Sequence, residues 1–228
     1  MSIAVDRVRS VSFDLDGTLI DTLPDLAGAV NETLAALHAP PLAQAQILRF
    51  VGDGADKLVL RAVAESFKSQ PRDAARDARA LELFAQFYEA KLFHDSRVYP
   101  DAPVALRALL EAGLSVSCIT NKDARFAIPL LEVAGLSGLL AFTLCPARPE
   151  ERKPNPAMLL AACGKLGVAP ADLVYVGDTY SDIIAAHAAG AAGVAVTYGY
   201  NHKVPMSQSS PDATIDNLME IVAQLRVS

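Results

Sequence analysis

The chain has few cysteines, and none of them stands in a metal-binding spacing. It contains Cys118, Cys145 and Cys163 and no Cys-x-x-Cys pair. An odd number of cysteines without paired spacing indicates neither a disulfide framework nor a zinc site. The four histidines are scattered and add no metal-binding cluster. We therefore expect a reducing environment and a cytoplasmic location.

Positive charge is also scarce, with 20 Lys and Arg against 26 Asp and Glu and a net charge of −6. Such a chain has no general attraction to nucleic acids. The N-terminus carries charges such as Asp6 and Arg9 and no apolar block of signal length, so we expect no secretory leader. The apolar stretch Ala127–Ala147 is long enough to span a bilayer, but Pro129 and Gly135 interrupt it. We expect soluble core there and no membrane contact.

Several common catalytic motifs are absent. There is no Gly-x-x-x-x-Gly-Lys-Ser/Thr loop and no Gly-x-Ser-x-Gly elbow. The segment 51–54 has glycines but lacks the preceding strand of a dinucleotide fingerprint. A calcium loop is excluded because Gly17 stands fourth from Asp14, whereas an EF-hand needs glycine sixth. Nucleotide binding of the Walker type is therefore not indicated.

Short apolar runs alternate with helical stretches along most of the chain. The predicted strands are Val8–Phe13, Leu114–Thr120, Leu139–Leu144, Leu173–Val176 and Gly193–Thr197. The predicted helices are Ala102–Ala112, Arg125–Ala134, Asn155–Leu166 and Asp182–Ala189. Near-continuous apolar strands that alternate with helices predict a parallel sheet covered on both faces. Residues 210–227 are expected to close the domain with a short extended piece and a last helix.

Residues 23–95 differ, because their periodicity is helical throughout. Leu26, Val30 and Leu34 show the spacing of one helix face, and no strong strand candidate interrupts the segment. The predicted fold is α/β, with a Rossmann-like parallel sheet core in residues 1–22 and 96–228. A helical cap, residues 23–95, is inserted after the first strand. Such an insertion is either a packing unit or a lid.

The first predicted strand ends in two carboxylates, Asp14 and Asp16, followed by Gly17. Ligands of open α/β sheets bind at the carboxyl ends of the strands. One carboxylate there could attack an electrophile, the other could move a proton, and the pair could hold a hard cation. Taken alone, the stretch fits a simple Asp-Gly turn equally well.

Three further polar sites follow along the chain. Thr120 and Asn121 can donate hydrogen bonds to an anion or cap the next helix. Lys153 precedes two prolines that constrain the backbone, which suits a fixed cation or a helix start. Asp178 and Asp182 either reach the same edge or cap a helix. Together the four sites suit a phosphoryl group bound with Mg²⁺, since carboxylates hold the ion and the cation offsets phosphoryl charge.

These segments resemble the haloacid dehalogenase superfamily, on its phosphatase side. Residues 13–18 are similar to its first motif, 120–121 to the second, 153–154 to the third, and 177–179 with Asp182 to the fourth. The helical insertion lies where that family has a mobile cap. Segments 51–55, 120–122 and 196–201 are similar to phosphoglycolate phosphatases, with Asp53 where asparagine or a similar residue is usual.

The resemblance implies a Mg²⁺-dependent phosphomonoester hydrolase that acts on a small phosphorylated metabolite, with 2-phosphoglycolate as the expected substrate. It implies that Asp14 is the nucleophile and forms an aspartyl-phosphate. Asp16 would protonate the leaving alkoxide and later deprotonate the hydrolytic water. Because Asp16 has to carry a proton when substrate binds, we expect a closed, desolvated site.

The resemblance also implies ligands for metal, phosphate and substrate. Mg²⁺ would be held by the Asp14 carboxylate, the Asp16 backbone carbonyl and Asp178, with Asp182 and Gly17 in support. The phosphoryl group would be held by Thr120, Asn121 and Lys153. The cap residues expected near the substrate are Gly52, Asp53, Gly54 and Lys57.

Other functions on this scaffold stay open. The main alternatives are a phosphatase for another small sugar phosphate and a non-catalytic regulatory module on the same fold. A phosphonate-cleaving hydrolase would need Lys57 as a Schiff-base lysine, and a sugar-phosphate mutase could use the same acids. We expect a monomer or a small homo-oligomer.

Overall fold

The computed structural model describes residues 7–200 and 206–226, so Asn201 and Val227 of the segments above lie outside the described residues. The strands are β1 (Ser10–Phe13), β2 (Ile20–Asp21), β3 (Arg97–Val98), β4 (Ser115–Ile119), β5 (Thr143–Leu144), β6 (Leu173–Gly177), β7 (Ala192–Val196) and β8 (Ala213–Ile215). A six-stranded sheet has the order β5-β4-β1-β6-β7-β8, and all of its neighbours are parallel. The predicted α/β class is confirmed.

Nine helices lie within the described ranges. They are α1 (Leu23–Ala36), α2 (Gln44–Leu48), α3 (Ala55–Ser66), α4 (Ala74–Ala90), α5 (Ala102–Glu111), α6 (Ala124–Val133), α7 (Ala157–Leu166), α8 (Tyr180–Ala189) and α9 (Met219–Arg226). The first four lie between β2 and β3 in the chain, and the other five follow β3. No helix in this described part is long and apolar enough to cross a bilayer.

The central strands bring the candidate residues to one edge of the sheet. Both β1 and β6 are fully buried, as expected for strands covered on two faces. Phe13 at the end of β1 is in register with Cys118 of β4 and Val176 of β6. Because these parallel strands end together, the loops that follow them begin side by side.

The predicted strand Leu139–Leu144 is mostly wrong. Only Thr143–Leu144 forms a strand, although Ala141 and Phe142 also make backbone hydrogen bonds to β4, and Ser137–Leu139 forms a 3₁₀ turn. Leu139 and Leu140 pack against the main core instead of joining the ladder. An apolar run alone does not distinguish pairing from packing.

The helical segment has a hydrophobic cluster of its own, in which α1 and α4 pack together. Its Tyr88 ring lies 5.4 Å from Phe84 and 5.0 Å from Phe126, which belongs to α6 beside the sheet. The chain enters the helical segment after β2 and leaves it before β3, and these two strands pair in antiparallel orientation. Asp25 of α1 also accepts hydrogen bonds from the backbone N–H groups of Asp95 and Ser96. The helical segment therefore lies over the carboxyl edge of the sheet and is connected to it through the short β2–β3 pair.

Candidate active site

Asp14 and Lys153 form the floor of the site. Asp14 follows β1 directly, is 8% exposed, and its Oδ1 lies 2.9 Å from Lys153 Nζ. The same ammonium donates to Asp182 Oδ1 at 2.6 Å, the Tyr175 hydroxyl at 2.6 Å and the Ile119 carbonyl at 3.2 Å. Burial would lower the pKa of Lys153, but Asp14 and Asp182 outweigh it and raise this pKa. Lys153 is therefore a fixed cation, and its contact with phosphate stays a prediction.

Three buried carboxylates cluster here, and the Lys153 ammonium contacts two of them, Asp14 and Asp182. Asp14, Asp178 and Asp182 each offer an oxygen atom, and these atoms lie within 4.8 Å of one another. Burial raises the pKa of Asp14 to about 7; Lys153 opposes this shift, and repulsion from Asp182 adds to it. Burial and both neighbouring acids also raise the pKa of Asp178. An all-oxygen donor set with excess negative charge fits a hard divalent cation.

The loop around Asp178 is packed so tightly that it requires glycine. Thr18 Oγ1 donates to Asp178 Oδ1 at 3.2 Å, and the Tyr200 backbone N–H donates to Oδ2 at 2.6 Å. Gly17 has φ +84°, and a Cβ there would lie 2.3 Å from Asp178 Oδ2. The Tyr200 hydroxyl accepts from the N–H of Thr22 at 2.7 Å, at the base of the helical segment. Asp178 is thus held from two sides.

Asp182 is held by donors of the protein itself. Its Oδ2 accepts from the Thr179 N–H at 2.8 Å and from Thr179 Oγ1 at 2.6 Å, which caps α8. Its Oδ1 accepts a hydrogen bond from the Lys153 ammonium. Because both oxygens already have donors, the arrangement suits the supporting position expected for Asp182.

Asp16 has a partner to which the sequence assigned no role. Lys122 Nζ donates to Oδ1 and Oδ2 of Asp16 at 2.9 and 3.2 Å, and Thr22 Oγ1 donates to Oδ1 at 2.6 Å. Burial would lower the pKa of Lys122, but Asp16 outweighs it and the pKa is raised. The contact joins residues 106 positions apart, so only the place of Lys122 beside Thr120 and Asn121 could have signalled it.

Asn121 links the helical segment to Lys153. Its Nδ2 donates to the Gly52 carbonyl at 3.0 Å and to the Lys153 carbonyl at 3.1 Å, while its Oδ1 accepts from the Lys153 N–H at 2.8 Å. Asn121 therefore positions the lysine, and its contact with phosphate stays a prediction. Thr120 lines the cavity directly.

A narrow, partly open cavity of about 40 Å³ lies between the sheet edge and the helical segment. A volume of this size holds on the order of three water molecules. The polar side chains of its lining come mainly from the sheet side, and its wall from the helical segment is largely apolar. The lining residues are Asp14, Asp16, Leu26, Val51, Gly52, Gly54, Ala55, Leu58, Tyr88, Thr120, Asn121, Lys122, Phe126, Thr179 and Tyr200.

Two of the four predicted cap residues do not face this cavity. Gly52 and Gly54 line it, but the Asp53 carboxylate pairs with Arg61 at 2.6 Å. Lys57 lines a separate groove of the helical segment. One residue turns a helix by about 100°, so Lys57 cannot share the face that Ala55 and Leu58 present to the cavity. This position argues against a Schiff-base role for Lys57.

Arg152 fastens the helical segment to the loop before Lys153. Its Nη1 donates to Asp56 Oδ1 at 2.6 Å and to the Asp53 carbonyl at 3.2 Å. Arg152→Gln should raise KM several-fold, because the closed form is less populated. Stability should change by at most about 1 kcal/mol, since Asp56 is 40% exposed. Steady-state kinetics and urea unfolding measure both effects.

The matched control is Arg148→Gln, which removes a nearby arginine that pairs only locally with Glu151. It should leave KM at the wild-type value. An identical KM in the wild-type, Arg148→Gln and Arg152→Gln proteins would rule out the fastening role.

The Asp14 contribution to the stability of the metal-free protein should decrease as pH rises from about 4 to about 7. Over this range the unfolded chain has lost the Asp14 proton, whereas the folded protein retains it because its pKa is raised from 3.8 to about 7. Mg²⁺ should raise the melting temperature most above pH 7, where the carboxylates are ionised. Thermal unfolding in EDTA or Mg²⁺ from pH 4 to pH 8 tests this, with Asp14→Asn as the reference. Equal pH slopes for wild type and variant in EDTA would contradict it.

A parallel sheet whose first strand ends in a buried aspartate, beside a fixed lysine and beneath a helical insertion, is the architecture of a Rossmann-like α/β enzyme. The chain belongs to the haloacid dehalogenase-like hydrolases, whose family model matches residues 11–196. The resemblance inferred from the motifs is confirmed, and the protein is an enzyme of this family.

Relatives match over almost the whole chain. The phosphoglycolate phosphatase of Haemophilus influenzae strain 86-028NP is 37% identical over 221 residues, covering 96% of this chain and 99% of that protein. The phosphoglycolate phosphatase of Pseudomonas fluorescens is 40% identical over 215 residues, which cover 94% of this chain and 78% of that protein. A crystal structure described as a predicted phosphoglycolate phosphatase from Haemophilus somnus 129PT superposes with a TM-score of 0.92 at 35% identity, covering 96% and 99% of the two chains.

Proposed function

We propose that this enzyme hydrolyses a small phosphomonoester with Mg²⁺, through an aspartyl-phosphate, and that 2-phosphoglycolate is its substrate. The observation that carries the proposal is the 2.9 Å contact between Lys153 and Asp14, whose side chain lines the cavity. The similarity to phosphoglycolate phosphatases over nearly the full length supports the choice of substrate.

Asp14 is the nucleophile of the proposed reaction. Its carboxylate attacks phosphorus, and the leaving oxygen departs on the opposite side. Lys153 neutralises charge on the phosphoryl oxygens, and Thr120 contributes a hydroxyl on the cavity wall. Mg²⁺, when bound by Asp14, Asp178 and the Asp16 carbonyl, reduces the repulsion between nucleophile and phosphate.

Asp16 is the proton carrier. It donates a proton to the leaving alkoxide, then takes one from the water that hydrolyses the aspartyl-phosphate. Thr22 and Lys122 fix its carboxylate in place. Residues 23–95 act as a cap over a core of residues 1–22 and 96–228, and the closed cap excludes bulk water from both steps.

The cavity favours a short substrate over a sugar phosphate. Among the described lining residues, the helical segment offers only one polar side-chain group, the Tyr88 hydroxyl. Sugar hydroxyls buried against the apolar wall formed by residues such as Leu26, Val51 and Leu58 would lack partners. A phosphatase for small sugar phosphates is therefore the second candidate. A regulatory module is disfavoured because Asp14, Lys153 and the other acids remain in contact.

A panel of phosphate esters tests the proposal. Purified enzyme with Mg²⁺ should release phosphate from 2-phosphoglycolate faster than from hexose phosphates, and EDTA should abolish the release. Full activity in EDTA would refute the metal dependence. Faster hydrolysis of a sugar phosphate would favour the second candidate.

A further inference from the structure

Lys122 is the only cation among the described residues that line the cavity. Its side chain is 4% exposed, and its ammonium lies 2.9 Å from Asp16 Oδ1. Because Asp16 meets the leaving oxygen in the proposed reaction, Lys122 stands on the leaving-group side of the site. The other buried lysine, Lys153, contacts Asp14 at the phosphoryl side. Lys122 therefore faces the leaving-group part of a bound ester, whereas Lys153 lies behind Asp14, outside the cavity lining.

Tyr88 brings a second polar group to the same place. Lys122 Nζ lies 4.8 Å from the centroid of its ring. The Tyr88 hydroxyl is buried and makes no hydrogen bond of normal geometry, although the Lys122 ammonium is near enough to lower its pKa. Burial raises the pKa of Tyr88 to about 12, so the phenol keeps its proton at neutral pH. An unpaired buried hydroxyl is unfavourable, and such a group in a cavity wall often has a ligand as its partner.

We propose that Lys122 and Tyr88 form a subsite for a carboxylate on the substrate, one carbon beyond the ester oxygen. This assignment rests on the phosphatase function proposed above. A hydrogen bond from Asp16 to the ester oxygen places the Lys122 ammonium within about 6 Å of that oxygen. A carboxylate on the adjacent carbon fills this gap. Lys122 then shares its protons between Asp16 and the substrate, while Thr22 continues to hold Asp16.

The donors match a carboxylate better than other groups. One ammonium and one neutral hydroxyl suit two oxygens that share a single negative charge. A second phosphate has more charge and more oxygens than this pair can serve, and the apolar wall offers no further donors. A neutral hydroxyl in the same position would leave the ammonium without a counter-charge from the ligand. The subsite therefore selects short phosphorylated acids.

Two esters of equal length isolate this contact. 2-Phosphoglycolate has a carboxylate where 2-hydroxyethyl phosphate has a neutral CH₂OH group. Tyr88→Phe removes the hydroxyl and keeps the ring. It should lower kcat/KM for 2-phosphoglycolate about tenfold, with less than a threefold change for 2-hydroxyethyl phosphate. Lys122→Met should lower the ratio of the two kcat/KM values about 100-fold, and Lys122→Arg should restore part of it.

Lys165→Met is the matched control, since Lys165 is an exposed lysine in the last turn of α7. It should leave both kcat/KM values unchanged. Equal losses on the two esters in Tyr88→Phe and Lys122→Met would overturn the subsite, because the residues would then act only through Asp16 or the fold. Thermal unfolding of each variant reports that it is folded, because Lys122 also holds Asp16 and its replacement can lower activity on both esters.

Isothermal titration calorimetry with the Mg²⁺-loaded Asp14→Asn protein measures the affinity for each of the two esters. This variant lacks the nucleophile, so the esters are not hydrolysed during the measurement. 2-Phosphoglycolate should bind at least tenfold more tightly than 2-hydroxyethyl phosphate, and adding Tyr88→Phe should remove most of the difference. Equal binding of both esters would overturn the subsite, even if the wild-type enzyme hydrolyses them. Selective binding without hydrolysis of either ester by the wild type would support the subsite and refute the proposed phosphatase function.

Discussion

Asp14→Asn should reduce phosphate release by a factor on the order of 10⁴ or more while the protein remains folded. The loss of a nucleophile removes the covalent route, and such losses are of this size in other enzymes. Stability should not fall with activity, because the carboxylate is buried next to Asp182 and its pKa is raised to about 7. Above pH 7 and without metal, the neutral amide removes a repulsive charge. Phosphate release and thermal unfolding measure the two effects.

The control is Asp172→Asn, at the start of β6 and thus at the opposite edge of the sheet. Asp172 contacts Arg7 near the surface, at 3.4 Å. Its replacement should leave the rate of phosphate release unchanged. Wild-type activity in Asp14→Asn would exclude an aspartyl-phosphate in this enzyme.

Lys153→Met should destabilise the protein by about 3–5 kcal/mol and remove activity. The substitution leaves Asp14 and Asp182 buried without their ammonium, and an uncompensated buried charge costs this much. Lys153→Arg should not rescue stability, since the ammonium is enclosed by the Tyr175 hydroxyl and the Ile119 carbonyl. A planar guanidinium needs more space than this compact site provides.

Urea unfolding of the metal-free proteins at pH 8 measures this effect, and the exposed Lys165→Met serves as reference. A loss of less than 1 kcal/mol in Lys153→Met would show that the buried acids do not depend on this ion pair. Saturating Mg²⁺ should recover part of the lost stability, because the ion replaces some of the missing positive charge.

The sequence predicted the sheet, and the proximity of most of the candidate residues, for a physical reason. Parallel strands end at one edge, so polar residues directly after apolar runs meet there whatever separates them along the chain. Asp14, Thr120 and Asp178 were found in this way. The assignment of Lys153 also needed the motif order, because no local pattern distinguishes it from a solvated lysine.

What the sequence could not show are contacts made across the fold. The pairing of Lys122 with Asp16 and the place of Tyr88 above it depend on how the helical segment sits on the sheet. Lys57 was expected near the substrate but lines a separate groove. It precedes the cavity-lining Leu58, and adjacent residues of a helix point in different directions. The strand β5 was predicted too long because residues that only pack against the edge of a sheet are as apolar as residues that pair with it.

The small size of the cavity has an expected kinetic consequence. It has room for only about three water molecules, which is less than a phosphate ester occupies. We therefore expect the loop from Gly52 to Asp56 to leave Arg152 and Asn121 whenever an ester enters or alcohol and phosphate depart. In the proposed reaction this movement would limit the maximum rate, however fast the chemical steps become.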